Sequence, residues 1–265
     1  MKVLSIIGIT KSGKTTVVEK VIGELHRRRY TVASVKDIHF EDFAIDIEGS
    51  NSYRHSRAGS ELVTARGLYE TDILFPHQLS IDEILRFYNQ DYVLLEGVED
   101  YNAPKIITAH NTSEVDERLD DSVFAISGLL ADKMKSYRGL PVINVLTETE
   151  ELVDQIIAKV PELLPDFPPA CCSKCGMSCR ELLAAILRGE KSRSDCVLEK
   201  SNVKLEINGQ EIPIVPFVQK VLRMTMTGVV STLDGYEENA DIRISIGKHK
   251  EDLNCRADQN EQKHE

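Results

Sequence analysis

Gly8-Ile9-Thr10-Lys11-Ser12-Gly13-Lys14-Thr15 fits the phosphate-loop pattern G-x-x-x-x-G-K-[ST] at every fixed position. Gly8 and Gly13 reach backbone angles that other residues resist, and their missing side chains let successive amides close around phosphate oxygens. Lys14 neutralises the outer phosphates. Thr15 offers a hydroxyl to magnesium, and the first turn of a following helix, with Thr16, turns its positive end toward the same anion. The whole run, Gly8, Thr10, Lys11, Ser12, Gly13, Lys14, Thr15 and Thr16, is therefore the expected contact set for a nucleoside triphosphate with Mg2+.

The flanks supply the context that the pattern needs. Val3-Leu4-Ser5-Ile6-Ile7 reads as a buried strand, and after the loop Val17, Val18, Val21, Ile22 and Leu25 recur at helical spacing up to the basic end His26-Arg27-Arg28-Arg29. Further short strands are expected at Thr31 to Val35, Tyr92 to Leu95, Ser122 to Ile126 and Pro141 to Leu146, with helices at Ile81 to Tyr88 and Glu150 to Val160. Strands alternating with helices imply an α/β domain, a phosphate-loop NTPase with a mostly parallel sheet covered on both faces, over residues 1–166. Such a site needs an acidic residue at a strand end to hold the metal or its water. Glu96, closing the run Tyr92 to Leu95, is the first candidate and Asp37 the second.

Pro161, Pro165, Pro168 and Pro169 stiffen the chain and disfavour a continuing helix, which makes them a linker. A cysteine-rich module at 167–200 follows. Next comes a small α+β domain at 201–247: a hairpin of Val203 to Ile207 and Gln210 to Ile214 turning at Asn208-Gly209, a helix from Phe217 to Val230, and a strand from Asp241 to Ile246. Residues 248–265 are almost wholly polar and are expected to form a disordered tail.

With 42% hydrophobic and 28% charged residues the chain can bury a core, and a net charge of -11 argues against a nucleic-acid partner. No apolar run approaches the roughly 18 residues of a membrane span, so a cytoplasmic protein is expected. In that compartment thiols stay reduced, and five of the six cysteines crowd into residues 171 to 196. Cys172, Cys175, Cys179 and Cys196 can converge on one centre, for which zinc and iron-sulfur are both open by ligand type. Cys172-x-x-Cys175-Gly176, Cys179, an alanine-bearing helix and Cys196 resemble a four-cysteine module that binds a 4Fe-4S cluster in electron-transport B subunits and corrinoid iron-sulfur proteins, with one residue fewer before the third cysteine. The resemblance implies a 4Fe-4S cluster, with zinc as the alternative.

A second resemblance covers the first 160 or so residues. It rests on Ser12 to Thr16, Val35-Lys36 with His39, Asp46-Ile47-Glu48-Gly49, Ser52-Tyr53, Ala58-Gly59, Leu95-Glu96-Gly97, Lys105-Ile106, and Leu146 with Glu151 to Asp154. In order and spacing these are similar to the molybdopterin-guanine dinucleotide biosynthesis protein B (MobB) family. The chain departs from that family at Asp37, Asn51, Glu99 and near Gly128. With no Asn-Lys-x-Asp signature to read guanine, GTP as the nucleotide is what the resemblance alone implies, and with no evident water-positioning glutamine or arginine finger a slow GTPase is expected. It implies an accessory protein that assists GMP attachment to molybdopterin beside a molybdopterin guanylyltransferase, with a molybdoenzyme as a further partner. Lys36, His39, Asp46, Arg54 and Arg57 would form a substrate or partner surface, with His55 completing a basic lip. A sheet edge left by five strands could pair across a homodimer. The alternative is a nucleotide-gated iron-sulfur redox or cluster-carrier ATPase; a third reading is a zinc-stapled docking platform.

Overall fold

Strand β1 (Lys2–Gly8) runs through the middle of a five-stranded parallel sheet and delivers the chain into the phosphate loop. The computed structural model describes residues 1–40, 43–166, 175–196, 203, 205–207, 210–212, 214, 216–238 and 242–246, and divides into the units Met1–Lys200 and Ser201–Glu265. After β1 the first unit continues through α1 (Lys14–Arg27), β2 (Val32–Lys36), α2 (Asn51–Arg57), β3 (Val63–Arg66), β4 (Thr71–Leu74) and α3 (Ile81–Leu85). It then adds β5 (Tyr92–Glu96), β6 (Lys105–Thr108), α4 (Thr112–Asp116), β7 (Val123–Ser127), β8 (Ser136–Tyr137), β9 (Leu140–Pro141), α5 (Thr149–Lys159) and α6 (Cys179–Leu187).

The sheet order is β2-β5-β1-β6-β7, every neighbour parallel. Alternation along β1 sends Leu4 and Ile6 to one face, where Val17, Val21 and Leu25 of α1 and Leu152, Val153 and Ile156 of α5 cover them. Val3 and Ile7 turn to the other face, toward Leu85 of α3 and Val115 of α4 respectively. Val17, Val18, Val21 and Leu25 are all buried, each worth about 1.5–3 kcal/mol relative to exposure, so packing rather than propensity holds α1 against the sheet. At its far end Glu24 is clasped by Arg27 and Arg28, which reach across to Glu150 and Asp154 of α5.

Because the chain passes from β1 to β2 and β5 on one side and then to β6 and β7 on the other, the sheet has a switch point at the carboxyl end of β1. Open α/β sheets bind ligands in the crevice at that point, and the loop of residues 8–15 lies there. β3 and β4 form a separate hairpin, as do β8 and β9.

Beyond Val160 the first unit carries the cysteine segment. Helix α6 is capped by Ser178, whose hydroxyl accepts from the Glu181 amide while the Glu181 carboxylate accepts from the Ser178 amide. It buries Leu182 and Leu183 with Leu164 and Cys196, and Leu187 packs on the main core. In the second unit β10 (Glu206–Ile207) and β11 (Gln210–Glu211) pair antiparallel, and α7 (Pro216–Val230) follows. The turn at 208–209 lies outside the described residues, as do the tail at 248–265, Pro168, Pro169 and Cys172.

Two strand expectations are corrected. Residues 141–146 are not the fifth sheet strand: Leu140–Pro141 is a two-residue arm of a hairpin, and Val142 makes a single bridge to Ile126. Pro141 has no amide to donate, and the Asn144 side chain accepts from the Leu146 amide, turning the chain into α5. The fifth strand is Lys105-Ile106-Ile107-Thr108, whose run is only four residues long. In the second unit, residues 242–246 form no strand. No helix among the described residues is long and apolar enough to cross a membrane.

Candidate functional site

The phosphate loop is held in a conformation that glycine and close packing dictate together. Gly8 sits at φ 145 and Gly13, the residue before α1, at φ 103, while Lys11 takes a left-handed φ of 63 without being glycine. A Cβ on Gly8 would meet the Thr108 carbonyl oxygen at 2.2 Å, and one on Gly128 would meet the Ser12 carbonyl oxygen at 2.3 Å. The loop is thus wedged between the ends of β6 and β7. Ser12 Oγ, fully buried, donates to the Ile9 carbonyl at 2.8 Å and lies 2.7 Å from Thr108 Oγ1, which reaches the Ile7 carbonyl at 3.1 Å.

Lys14 Nζ donates to the carbonyls of Gly8 at 2.8 Å and Ile9 at 2.6 Å, which places the ammonium across the loop's mouth. Burial lowers its pKa, Glu96 opposes that shift, and Lys36 adds to it. The acid expected at a strand end is Glu96. Nearly fully buried at 7% exposure, its Oε1 accepts from Thr15 Oγ1 and from Lys36 Nζ, both at 2.7 Å. A hydroxyl and a carboxylate oxygen side by side, beside a cradle for phosphates, suit a hard cation such as Mg2+, which is commonly held by one or two carboxylates, substrate phosphates and waters. Among the described residues no group of three or more His, Cys, Asp or Glu could hold a metal by itself. Asp37 sits next to this acid through its backbone, its amide donating to the Glu96 carbonyl at 2.9 Å, with its side chain 3.8 Å from His39 Nε2.

The five residues expected to form one substrate or partner surface each make local contacts of their own. Lys36 pairs with Glu96, and His39 stands beside Asp37. Asp46 accepts from Ser50 Oγ, Ser52 Oγ and the Ile47 amide, so it organises the entry to α2. Arg54 and Arg57 are exposed on α2. Near them lies an open cavity of about 460 Å³ whose lining includes Asn51, Ser52, His55, Thr64, Arg66 and Asp72; sequence patterns gave no sign of it.

Three cysteines of the expected metal set are described. Cys179 and Cys196 are buried, and Cys175 packs against the cluster of Leu164, Leu182 and Leu183 that contains Cys196. The segment is fastened to the nucleotide side of the unit: Arg180 donates to the Asp100 carbonyl at 2.8 Å and to Asp166 at 2.9 Å. Asp100 lies four residues beyond Glu96.

Thr108, His110 and Gly128 are the site residues that motif reading missed. Thr108 ends, and His110 follows, a strand too short to stand out. Gly128 was seen only as lying near a departure from the family pattern, and its contact with Ser12 is a matter of tertiary packing.

Residues 3–128 match the family model of molybdopterin guanine dinucleotide synthesis protein B. The chain is 28% identical over 257 residues, 94% of its length and 99% of the relative's, to a putative molybdopterin-guanine dinucleotide biosynthesis adapter protein of Methanocaldococcus jannaschii. It is 35% identical over 109 residues, 39% of its length and 61% of the relative's, to the molybdopterin-guanine dinucleotide biosynthesis adapter protein of Haemophilus influenzae. In fold it is similar to the crystal structure of Bacillus subtilis MobB, with a TM-score of 0.51 and 19% identity over 60% of this chain and 98% of the other. The family model spans just under half of this chain, and the likeness to the solved structure shows a shared fold.

Proposed function

We propose that this chain is an adapter protein of molybdopterin-guanine dinucleotide biosynthesis whose phosphate loop binds GTP with Mg2+. The observation that carries the nucleotide part is the joining of Thr15 and Glu96 beside Lys14, at the switch point of a parallel sheet and inside the stretch that matches the family model. Lys14 would neutralise the β- and γ-phosphates, and the first amides of α1 would face the same oxygens. Thr15 and Glu96 would hold Mg2+ or its water, and the cation supplies charge neutralisation between phosphates when bound. Lys36 positions Glu96 by donating to the oxygen that also meets Thr15. Hydrolysis is slow on this reading, because the sequence shows no evident water-positioning glutamine or arginine finger.

The adapter's partners are the enzymes of the same biosynthesis. A molybdopterin guanylyltransferase is the first of these, with the exposed Lys36, His39, Arg54 and Arg57 region as the surface it meets. Cys172, Cys175, Cys179 and Cys196 would hold a 4Fe-4S cluster, with zinc as the alternative occupant of the same thiolates, once the three described cysteines, which form no metal-binding group as they stand, draw together. One observation keeps a second reading in play, a nucleotide-gated redox or cluster-carrier ATPase. Arg180, next to Cys179, donates to the Asp100 carbonyl in the loop that follows Glu96.

Anaerobic purification with iron, sulfide and zinc analysis, followed by calorimetric titration of GTP and ATP on the same sample, separates the two. GTP preference supports the adapter reading. ATP preference with an iron-sulfur chromophore would sink it in favour of the carrier.

A further inference from the structure

His110 lies two residues beyond the end of β6, against the tip of the phosphate loop. Its Nε2 is 3.1 Å from the Lys11 carbonyl oxygen and its Nδ1 is 3.1 Å from Glu114 Oε2 on α4. A backbone carbonyl and an ionised carboxylate are both acceptors with nothing to donate. A neutral imidazole carries one N–H and can serve only one of them, whereas a ring with protons on both nitrogens serves both. The residue it holds is Lys11, a non-glycine at φ 63, in a conformation that persists only when its surroundings enforce it. Fixing the Lys11 carbonyl fixes the peptide that leads into Ser12 and Gly13, whose amides face the phosphate position in a loop of this kind.

We infer that His110 is a positioning residue of the phosphate loop: its ring ties the Lys11 carbonyl to Glu114 and holds the loop peptide in place for a triphosphate. The inference rests on the nucleotide-binding reading above. The charged groups around the ring are few. Lys11 comes from the loop, and Glu114 from α4 with Arg118 donating to its carbonyl oxygen; Lys133, beyond β7, donates to the His110 carbonyl. Glu114 is the carboxylate in contact with the ring, and its Oε2 also accepts from the His110 amide at 2.8 Å.

The test is calorimetric titration of GTP and ATP, with Mg2+, into the full chain, His110→Ala and His110→Gln at one neutral pH, beside the melting temperature of each. Glutamine can still donate one hydrogen bond to Lys11, whereas alanine cannot. His110→Ala is expected to bind about five- to tenfold more weakly at a melting temperature close to the parent's, and His110→Gln to recover part of that loss. Parental affinity in His110→Ala, or a loss of affinity in His110→Gln as large as in His110→Ala, overturns the inference alone. Failure of the parent chain to bind either triphosphate overturns the nucleotide reading and this inference with it.

Discussion

Gly128→Ala asks whether the phosphate loop is shaped from outside. Gly128 stands at φ 81 just after β7, and an added Cβ would lie 2.3 Å from the Ser12 carbonyl oxygen, 3.0 Å from the Ala109 amide nitrogen and 3.2 Å from Thr108 Cβ. Real Cβ contacts stop near 3.0 Å, so the loop must retreat by about 0.7 Å or β7 must move. None of the three neighbouring atoms is the tip of a flexible side chain. The left-handed backbone costs alanine about 1–2 kcal/mol, and overpacking against fixed atoms adds about 1–3 kcal/mol. Gly139→Ala is the control. Gly139 has a similar φ of 78 but open space around it, so it should show the backbone cost without the clash. At about 2–4 °C per kcal/mol for a unit of this size, Gly139→Ala should melt a few degrees low and Gly128→Ala about 5–15 °C low. The loop displacement should weaken triphosphate binding at least about tenfold in Gly128→Ala and leave Gly139→Ala at parental affinity. Equal melting points and equal affinities for the two variants would refute the idea that the end of β7 sets the loop's geometry.

Other outcomes follow from single contacts. Lys14→Ala removes the ammonium beside Gly8 and Ile9 and should abolish measurable triphosphate binding while iron and zinc content stays unchanged; equal loss of both in calorimetry and metal analysis refutes two separable sites. Arg180→Ala frees the Asp100 carbonyl and Asp166, and should raise the alkylation rate of Cys175 with a stability cost of at most about 1 kcal/mol, since the arginine is largely exposed. An unchanged rate means that this contact does not fasten the cysteine segment. Hydrogen bonds from Arg27 and Arg28 depress the Glu24 pKa from 4.5 to about 2. A depressed carboxylate contributes stability above its unfolded pKa and loses it as pH falls through the folded one. Glu24→Gln should therefore lower the urea midpoint at pH 7, and the gap to the parent should close between about pH 4.5 and 2; a gap constant over that window contradicts the assignment.

Much of this arrangement was legible because it is local. The loop pattern, the strand before it and the apolar spacing of Val17 to Leu25 are written in consecutive residues, and Glu96 could be found because a four-residue apolar run ends on it. What was not legible depends on what the chain meets after folding. Lys105 to Thr108 hid as a strand because its lysine, buried here by an ion pair with Asp120, reads as a surface residue. Residues 141–146 looked like a strand by composition, yet one proline amide and one asparagine cap redirect them. His110 looked like a surface histidine because no pattern reports that its two nitrogens face a carbonyl and a carboxylate.

These two kinds of legibility fall on opposite sides of β1. On the β5 and β2 side the site is built from charged side chains, Glu96 with Lys36 and Thr15, and charges at strand ends are visible in a sequence. On the β6 and β7 side it is built from backbone: the carbonyls of Thr108 and Ser12, glycines that admit them, a buried hydroxyl pair and one imidazole. The first side can hold a cation and tune charge. The second decides whether the loop amides are in place for the anion, because an exposed left-handed Lys11 and a loop without support would otherwise sample other conformations. Substitutions on the charged side should therefore alter metal dependence and base the effect on charge, while substitutions on the backbone side should weaken every phosphate ligand alike, triphosphate and diphosphate, with metal dependence unchanged.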